Sequence, residues 1–140
     1  MKPLFIEPTE FTPKIYYDVN KHFMEISGFS RPEDVRGFYQ KFFDWLEINK
    51  SEILNSIKVD SKLNLEFKLV YFNSASSKCL LDMVLSLNKL YSHNINTLNE
   101  HNLAAVWYYE EGDEDMLEAG EEFSDAIEIP FSYVELKENE

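Results

Sequence analysis

The octet YFNSASSK, residues 71–78, gathers Asn73, Ser74, Ser76 and Ser77 where an apolar run, LNLEFKLVYF, gives way to a helical run, KCLLDMVLSLNKLY. The chemistry open to such a corner is acceptance of a phosphoryl group. Free N–H groups and the positive end of the helix dipole face whatever occupies a helix start, and an anion there gains roughly 0.3–1 kcal/mol. A phosphate on serine brings about −1.5 to −2 charges and three acceptor oxygens, and Lys78, just inside the helix, is available to pair with it. The plainer alternative is N-capping, which Asn and Ser both perform. Spacing alone favours capping, yet a cap requires one such residue and four stand here.

Other chemistry is thinly represented. His22, His93 and His101 are scattered, and no HExxH, Cys/His cluster, GxSxG, GxxxxGK[ST] or GxGxxG occurs. Four glycines leave little material for a phosphate-cradling loop. Asp113, Glu114 and Asp115 gather oxygen ligands, but their spacing does not match an EF-hand loop. The residues therefore predict a protein that is not an enzyme and carries no metal or cofactor. The rival reading is a small enzyme or a ligand-binding protein using Tyr108, Tyr109 and the Asp113–Asp115 cluster on a metal or small molecule.

Composition narrows the partners. The chain has 140 residues, with 13 Lys+Arg against 26 Asp+Glu and a formal net charge of −13. Nucleic acid and anionic lipid are bound through clustered cations, so neither is the expected partner. The charge serves solubility, or steers the protein to a basic partner. With 44% hydrophobic residues, including 11 Phe and 8 Tyr, the chain has ample material for a core and does not read as disordered. Cys79 is the only cysteine, and no stretch approaches 18 apolar residues. A soluble, cytoplasmic protein without a membrane insertion is expected.

The elements that must position the corner follow from the hydrophobic period. Residues 3–8, 14–18 and 21–27 read as short strands, with DVNK as a hairpin turn and Gly28 closing the group. Ser30 and Glu33 fit a capping box with Pro32 in the first turn, ahead of a helix over 31–48 with Val35, Phe38, Tyr39, Phe42 and Leu46 on one face. Residues 63–72 alternate Leu63, Leu65, Phe67, Leu69 and Tyr71 against Asn64, Glu66 and Lys68, a strand. A second helix covers 77–91, and SHNINTLNEHN is a polar loop. LAAVWYYE is an apolar strand, the segment 112–127 holds a short acidic helix with Met116, Ala119 and Phe123 inward, and IEIPFSYVEL is a last strand that Pro130 confines to an edge or bulge. The tail LKENE is expected to fray. The sum is one α/β domain over residues 1–140: a mixed sheet of about six strands, two main helices and one short acidic helix.

Four segments, in order, resemble one family: TPKIYYD (12–18), MEISGFSRPEDVRGFYQKFFDWL (24–46), LVYFNSASSK (69–78) and VWYYEEGDEDMLEAGEEF (106–123). Together they are similar to the SiaC-type bacterial regulatory phosphoproteins, whose switching logic is like that of STAS-type anti-sigma-factor antagonists. The resemblance implies a partner-switching regulator. A Ser/Thr kinase phosphorylates one hydroxyl of the corner, a PP2C-like phosphatase removes the phosphate, and the unmodified form binds and activates an effector, a diguanylate cyclase producing cyclic di-GMP. The family's phosphorylated Thr falls on Ser74, and Ala75 stands where the family has Ser, leaving Ser76 as the next candidate. Asn73, Ser77 and Lys78 would support the phosphate, and Tyr71, Asn73, Ser74, Lys78, Asp113 and Asp115 would meet the partner. The expected docking surface is the start of the helix 77–91 together with the acidic segment 110–122. An interface fitted to a neutral hydroxyl loses several kcal/mol when a doubly charged group must be buried there. An adaptor that is never phosphorylated is a further reading of the same residues.

Overall fold

The computed structural model describes residues 1–92 and 102–137. Six strands form one sheet: β1 (Leu4–Ile6), β2 (Lys14–Asp18), β3 (Phe23–Ser30), β4 (Leu63–Phe72), β5 (Leu103–Glu110) and β6 (Phe131–Leu136), in that spatial order. The first three pair antiparallel and the last four parallel. The helices are α1 (Val35–Ile48), α2 (Lys50–Ser56), α3 (Ser74–Tyr91) and α4 (Glu114–Ile127). Neighbouring parallel strands taken in chain order, with right-handed crossovers, bring every helix to one face of the sheet.

That one-sided cover explains the alternation in β4. Leu63, Leu65, Phe67 and Leu69 point under the helices and are buried, while Asn64, Glu66 and Lys68 lie on the open face. There Lys68 meets Glu25 and Glu66 at 3.4 Å each, Lys14 meets Glu25 at 2.8 Å, and Lys68 lies 4.9 Å from the Tyr108 ring centre. The ladder thus keeps a half-exposed sheet face hydrated and charge-matched.

Under the helices, Trp107 is the hub of an aromatic cluster. Phe67, Phe123, Phe131 and Phe72 lie 5.1, 5.5, 6.1 and 6.1 Å from it between ring centres. Each well-placed ring pair adds about 0.5–1.5 kcal/mol beyond its buried area. Trp107 Nε1 donates to the Met116 carbonyl at 2.9 Å, and this bond fixes α4 against β5.

The elements depart from the sequence reading in several places. The first strand is shorter than 3–8. DVNK forms a single 3-10 turn, with Asp18 accepting from the Lys21 N–H and His22 in the left-handed region. Gly28 does not close the strand group but lies inside β3 at φ 100. The first long helix begins at Val35 and is capped by Asp34, whose Oδ1 accepts from the Gly37 N–H at 3.0 Å. Ser30 is therefore no cap: it is the last residue of β3 and fully buried. The helix α2 has no counterpart in the sequence reading, and α4 is as long as α1. Pro130 precedes β6, which is an edge strand as expected. Most of the polar loop after α3, and the end of the tail, lie outside the described residues.

Candidate functional site

The corner divides its four polar residues among separate tasks. Asn73 is the N-cap of α3, its Oδ1 accepting from the Ser76 N–H at 2.8 Å. Ser76 is fully buried, and its Oγ donates to the Ser30 carbonyl at 3.1 Å. Ser30 Oγ in turn donates to Ser76 Oγ at 2.8 Å, which leaves Tyr39 OH to donate to Ser30 Oγ at 2.6 Å. Ser77 is half-buried beside Phe72, Leu81 and Ala119 in a groove between α3 and α4. Ser74 alone among the four is exposed. It is the first residue of α3, and Lys78, also exposed, lies four residues on along the same helix face.

The hydroxyl chain from Tyr39 to Ser76 is the part that spacing did not announce. Ser76 is separated from Ser30 by 46 positions, and the local Ser-x-x-Glu spacing marks Ser30 as a helix cap instead. Burial pushes the Tyr39 phenol up to about 12, against the lowering effect of its bonds to Ser30 and Ser76, so it remains a neutral donor. The backbone closes the same joint, with the Asn73 N–H donating to the Ser30 carbonyl at 3.1 Å. As a runner-up phosphate acceptor, Ser76 is ill placed. Its oxygen has no solvent path in the folded chain, and a phosphate there would bury a double charge.

A β-bulge decides what else reaches the corner. The β3–β4 register runs Gly28 to Leu69 and then Phe29 to Tyr71, leaving Val70 as the extra residue. After that insertion the pleat changes parity. In β4 Phe72 turns inward beside Ser30 and Tyr71 outward beside Phe29, whose own alternation in β3 is unbroken, so Tyr71 does not continue the buried row of Leu63 to Leu69. It is 46% exposed, three residues before Ser74.

Asp113 and Asp115 follow β5 at the same end of the parallel sheet. Asp113 caps α4, its Oδ1 accepting from the Met116 N–H at 3.0 Å, and Asp115 is exposed in the first turn. Tyr108 and Tyr109 do not converge on them as one site. Tyr108 lies on the open face with its OH donating to Glu66 at 3.4 Å, while Tyr109 packs against the core. Among the described residues no group of three His, Cys, Asp or Glu side chains is placed to hold a metal ion.

His22 sits at the opposite end of β3. Its Nδ1 lies 2.9 Å from Tyr91 OH, which lies 2.8 Å from Tyr17 OH. Burial lowers the imidazole pKa and raises those of both tyrosines. This polar chain fastens the end of α3 to β2, far from the corner. His93 and His101 lie outside the described residues.

Comparison with known proteins agrees with this architecture. A family model described as "SiaC family regulatory phosphoprotein" matches residues 6–136. An uncharacterised protein of Pseudomonas aeruginosa is 25% identical over 132 residues, covering 94% of this chain and 95% of the relative. The crystal structure of apo-SiaC from Pseudomonas aeruginosa superposes with a TM-score of 0.71 at 25% identity, over 96% of this chain and 99% of that one. A second structure is the diguanylate cyclase SiaD in complex with its activator SiaC, from the same organism. Its matching chain gives a TM-score of 0.73 at 25% identity, over 95% of this chain and 99% of that one. The chain belongs to the SiaC family of regulatory phosphoproteins.

Proposed function

We propose that this SiaC-family chain is a switch whose state is set at Ser74. Unmodified, it binds and activates a diguanylate cyclase. Phosphorylated at Ser74 by a Ser/Thr kinase, it lets the cyclase go, and a PP2C-like phosphatase restores binding. The chain acts through contact and not as an enzyme. The observation that carries this reading is the division of labour at the corner: Asn73 and Ser76 are committed to structure, and Ser74 is left exposed at the start of an 18-residue helix. The parallel with the cyclase-activating SiaC of Pseudomonas aeruginosa supports the effector class.

The physics of release is local. A phosphate at the first residue of α3 is favoured by the helix dipole and can be met by Lys78 one turn on. The modification is therefore cheap for the free protein. It is expensive for a complex that buries the corner, because the partner must then strip a doubly charged group of water. Phosphorylation acts on binding and leaves folding nearly unchanged.

The test is phosphosite mapping of the protein from its native host, paired with Ser74→Ala and Ser74→Asp binding to the cognate cyclase. The switch requires phosphate on the 69–78 peptide at Ser74, retained binding by Ser74→Ala and lost binding by Ser74→Asp. Equal binding by both variants would return the chain to the constitutive-adaptor reading.

A further inference from the structure

Three segments distant in sequence deliver aromatic rings to the open-face side of the Ser74 corner. Phe29 faces outward there in the unbroken alternation of β3, and Tyr71 joins it because of the bulge at Val70 in β4. Phe11 arrives from the loop between β1 and β2, which is shaped by Thr9: its Oγ1 accepts from the N–H groups of Phe11 and Thr12 at 3.2 and 3.0 Å. Arg31 joins them. Its N–H donates to the Phe11 carbonyl at 2.8 Å, and its guanidinium lies 5.3 Å from the Phe11 ring centre and 5.5 Å from that of Phe29. Phe11, Phe29, Val70 and Tyr71 are 51, 37, 45 and 46% exposed.

The charge setting of Arg31 is unusual. The chain carries 26 acidic side chains against 13 cationic ones, Glu33 stands two residues after Arg31, and Glu10 adjoins Phe11. Among the described residues Arg31 nevertheless has no ion-pair partner, its guanidinium held by rings instead of a carboxylate. A stacked guanidinium has already given up much of its rotamer freedom, and its in-plane N–H donors remain open. The patch also runs up to the corner: the Asn73 N–H binds the Ser30 carbonyl, Arg31 follows Ser30, and Ser74 follows Asn73.

We propose that the Phe11–Phe29–Arg31–Tyr71 patch is the surface on which the cyclase docks, and that it takes an aliphatic side chain flanked by a carboxylate. The aliphatic group lies against Phe29 and Tyr71, and the carboxylate is met by Arg31. Charge complementarity supplies the specificity. A carboxylate is repelled by most of a surface at −13 and welcomed where an unpaired guanidinium is held. The inference rests on the Ser74 switch and gives it a mechanism: a phosphate at the edge of the patch competes for Arg31 and repels the partner's carboxylate.

The test measures calorimetric affinity for the purified cognate diguanylate cyclase, using wild type, Arg31→Glu, Arg31→Lys, Ser74→Asp and Lys62→Glu. Lys62 precedes β4 at the opposite end of the sheet, and its replacement makes the same charge change. Loss of affinity by about tenfold or more in Arg31→Glu, with a smaller loss in Arg31→Lys and none in Lys62→Glu, supports the patch. Wild-type affinity in Arg31→Glu beside lost binding in Ser74→Asp overturns the patch and leaves the switch standing. Lost binding in Arg31→Glu beside unchanged binding in Ser74→Asp supports the patch and removes the switch. Equal losses in Arg31→Glu and Lys62→Glu reduce the effect to net charge and also overturn the proposal.

Discussion

Ser30 and Ser76 hold each other in the interior by two hydrogen bonds, Ser30 Oγ to Ser76 Oγ at 2.8 Å and Ser76 Oγ to the Ser30 carbonyl at 3.1 Å. The pair couples the end of β3 to the first turn of α3, two residues beyond the exposed Ser74. The switch residue therefore stands on a fixed base.

Ser76→Ala removes one partner and leaves buried polar groups unmatched, a loss of about 1–3 kcal/mol. Ser76→Asp buries a carboxylate and costs more. Ser74→Asp, on the surface, stays within roughly 0.5 kcal/mol of wild type. Urea denaturation of the three variants should order them in that way. Wild-type stability in Ser76→Asp would mean that the buried chain is not as described.

Asn73→Ala should lower stability by about 1 kcal/mol through loss of the α3 cap, whereas Asn73→Asp keeps an acceptor for the Ser76 N–H and should retain most of it. Thermal melts of the two variants, read against wild type, decide the matter. Identical melting of wild type and Asn73→Ala would show that the capping bond contributes nothing.

Gly120 is a packing requirement. A Cβ built there would stand 2.6–2.7 Å from the Trp107 ring. Gly120→Ala must push α4 off β5 or turn the indole, and overpacking of this kind costs about 1–3 kcal/mol. Trp107 donates to the Met116 carbonyl, so the displacement should also shift the tryptophan emission. Unchanged stability together with an unchanged spectrum would contradict the contact.

Alkali should unfold the protein steeply. Burial raises Tyr39 and Tyr91 from 10.0 to about 12 and Tyr17 further still. Above pH 10 the unfolded chain loses protons that the folded chain keeps, so each tyrosine removes about 1.4 kcal/mol per pH unit until its folded pKa is reached. Denaturation midpoints measured from pH 9 to pH 12 should fall, and Tyr39→Phe should fall less steeply than wild type. His22 acts in the opposite direction. Its pKa is lowered by burial, so stability declines as pH drops below 6.5, and His22→Gln should flatten that limb.

Much of the site is legible in the amino-acid sequence. The strand over 63–72 and its handover to a helix were visible as a change of hydrophobic period, which fixed the corner and its free N–H groups. The order of motifs indicated the family. Ser30 was misread because Ser-x-x-Glu is a local signature, and Asp34 supplied a better cap nearer the first helical residue. The alternation over 63–72 lines Tyr71 up with Leu63, Leu65, Phe67 and Leu69, because period 2 assumes an unbroken pleat, which the insertion of Val70 violates.

The sequence by itself determined which residues meet locally: periodicity, capping and turn preferences act over a few positions, and they placed Asn73, Ser74 and Lys78 at one helix start. Only the tertiary structure decided which hydroxyl was left free. That choice depended on β3 lying beside β4, which buries Ser76 against Ser30 and Tyr39. It also brought Phe11, Phe29 and Arg31 together beside Tyr71. Contacts between residues dozens of positions apart are set by sheet order and register, and no short stretch of sequence encodes either.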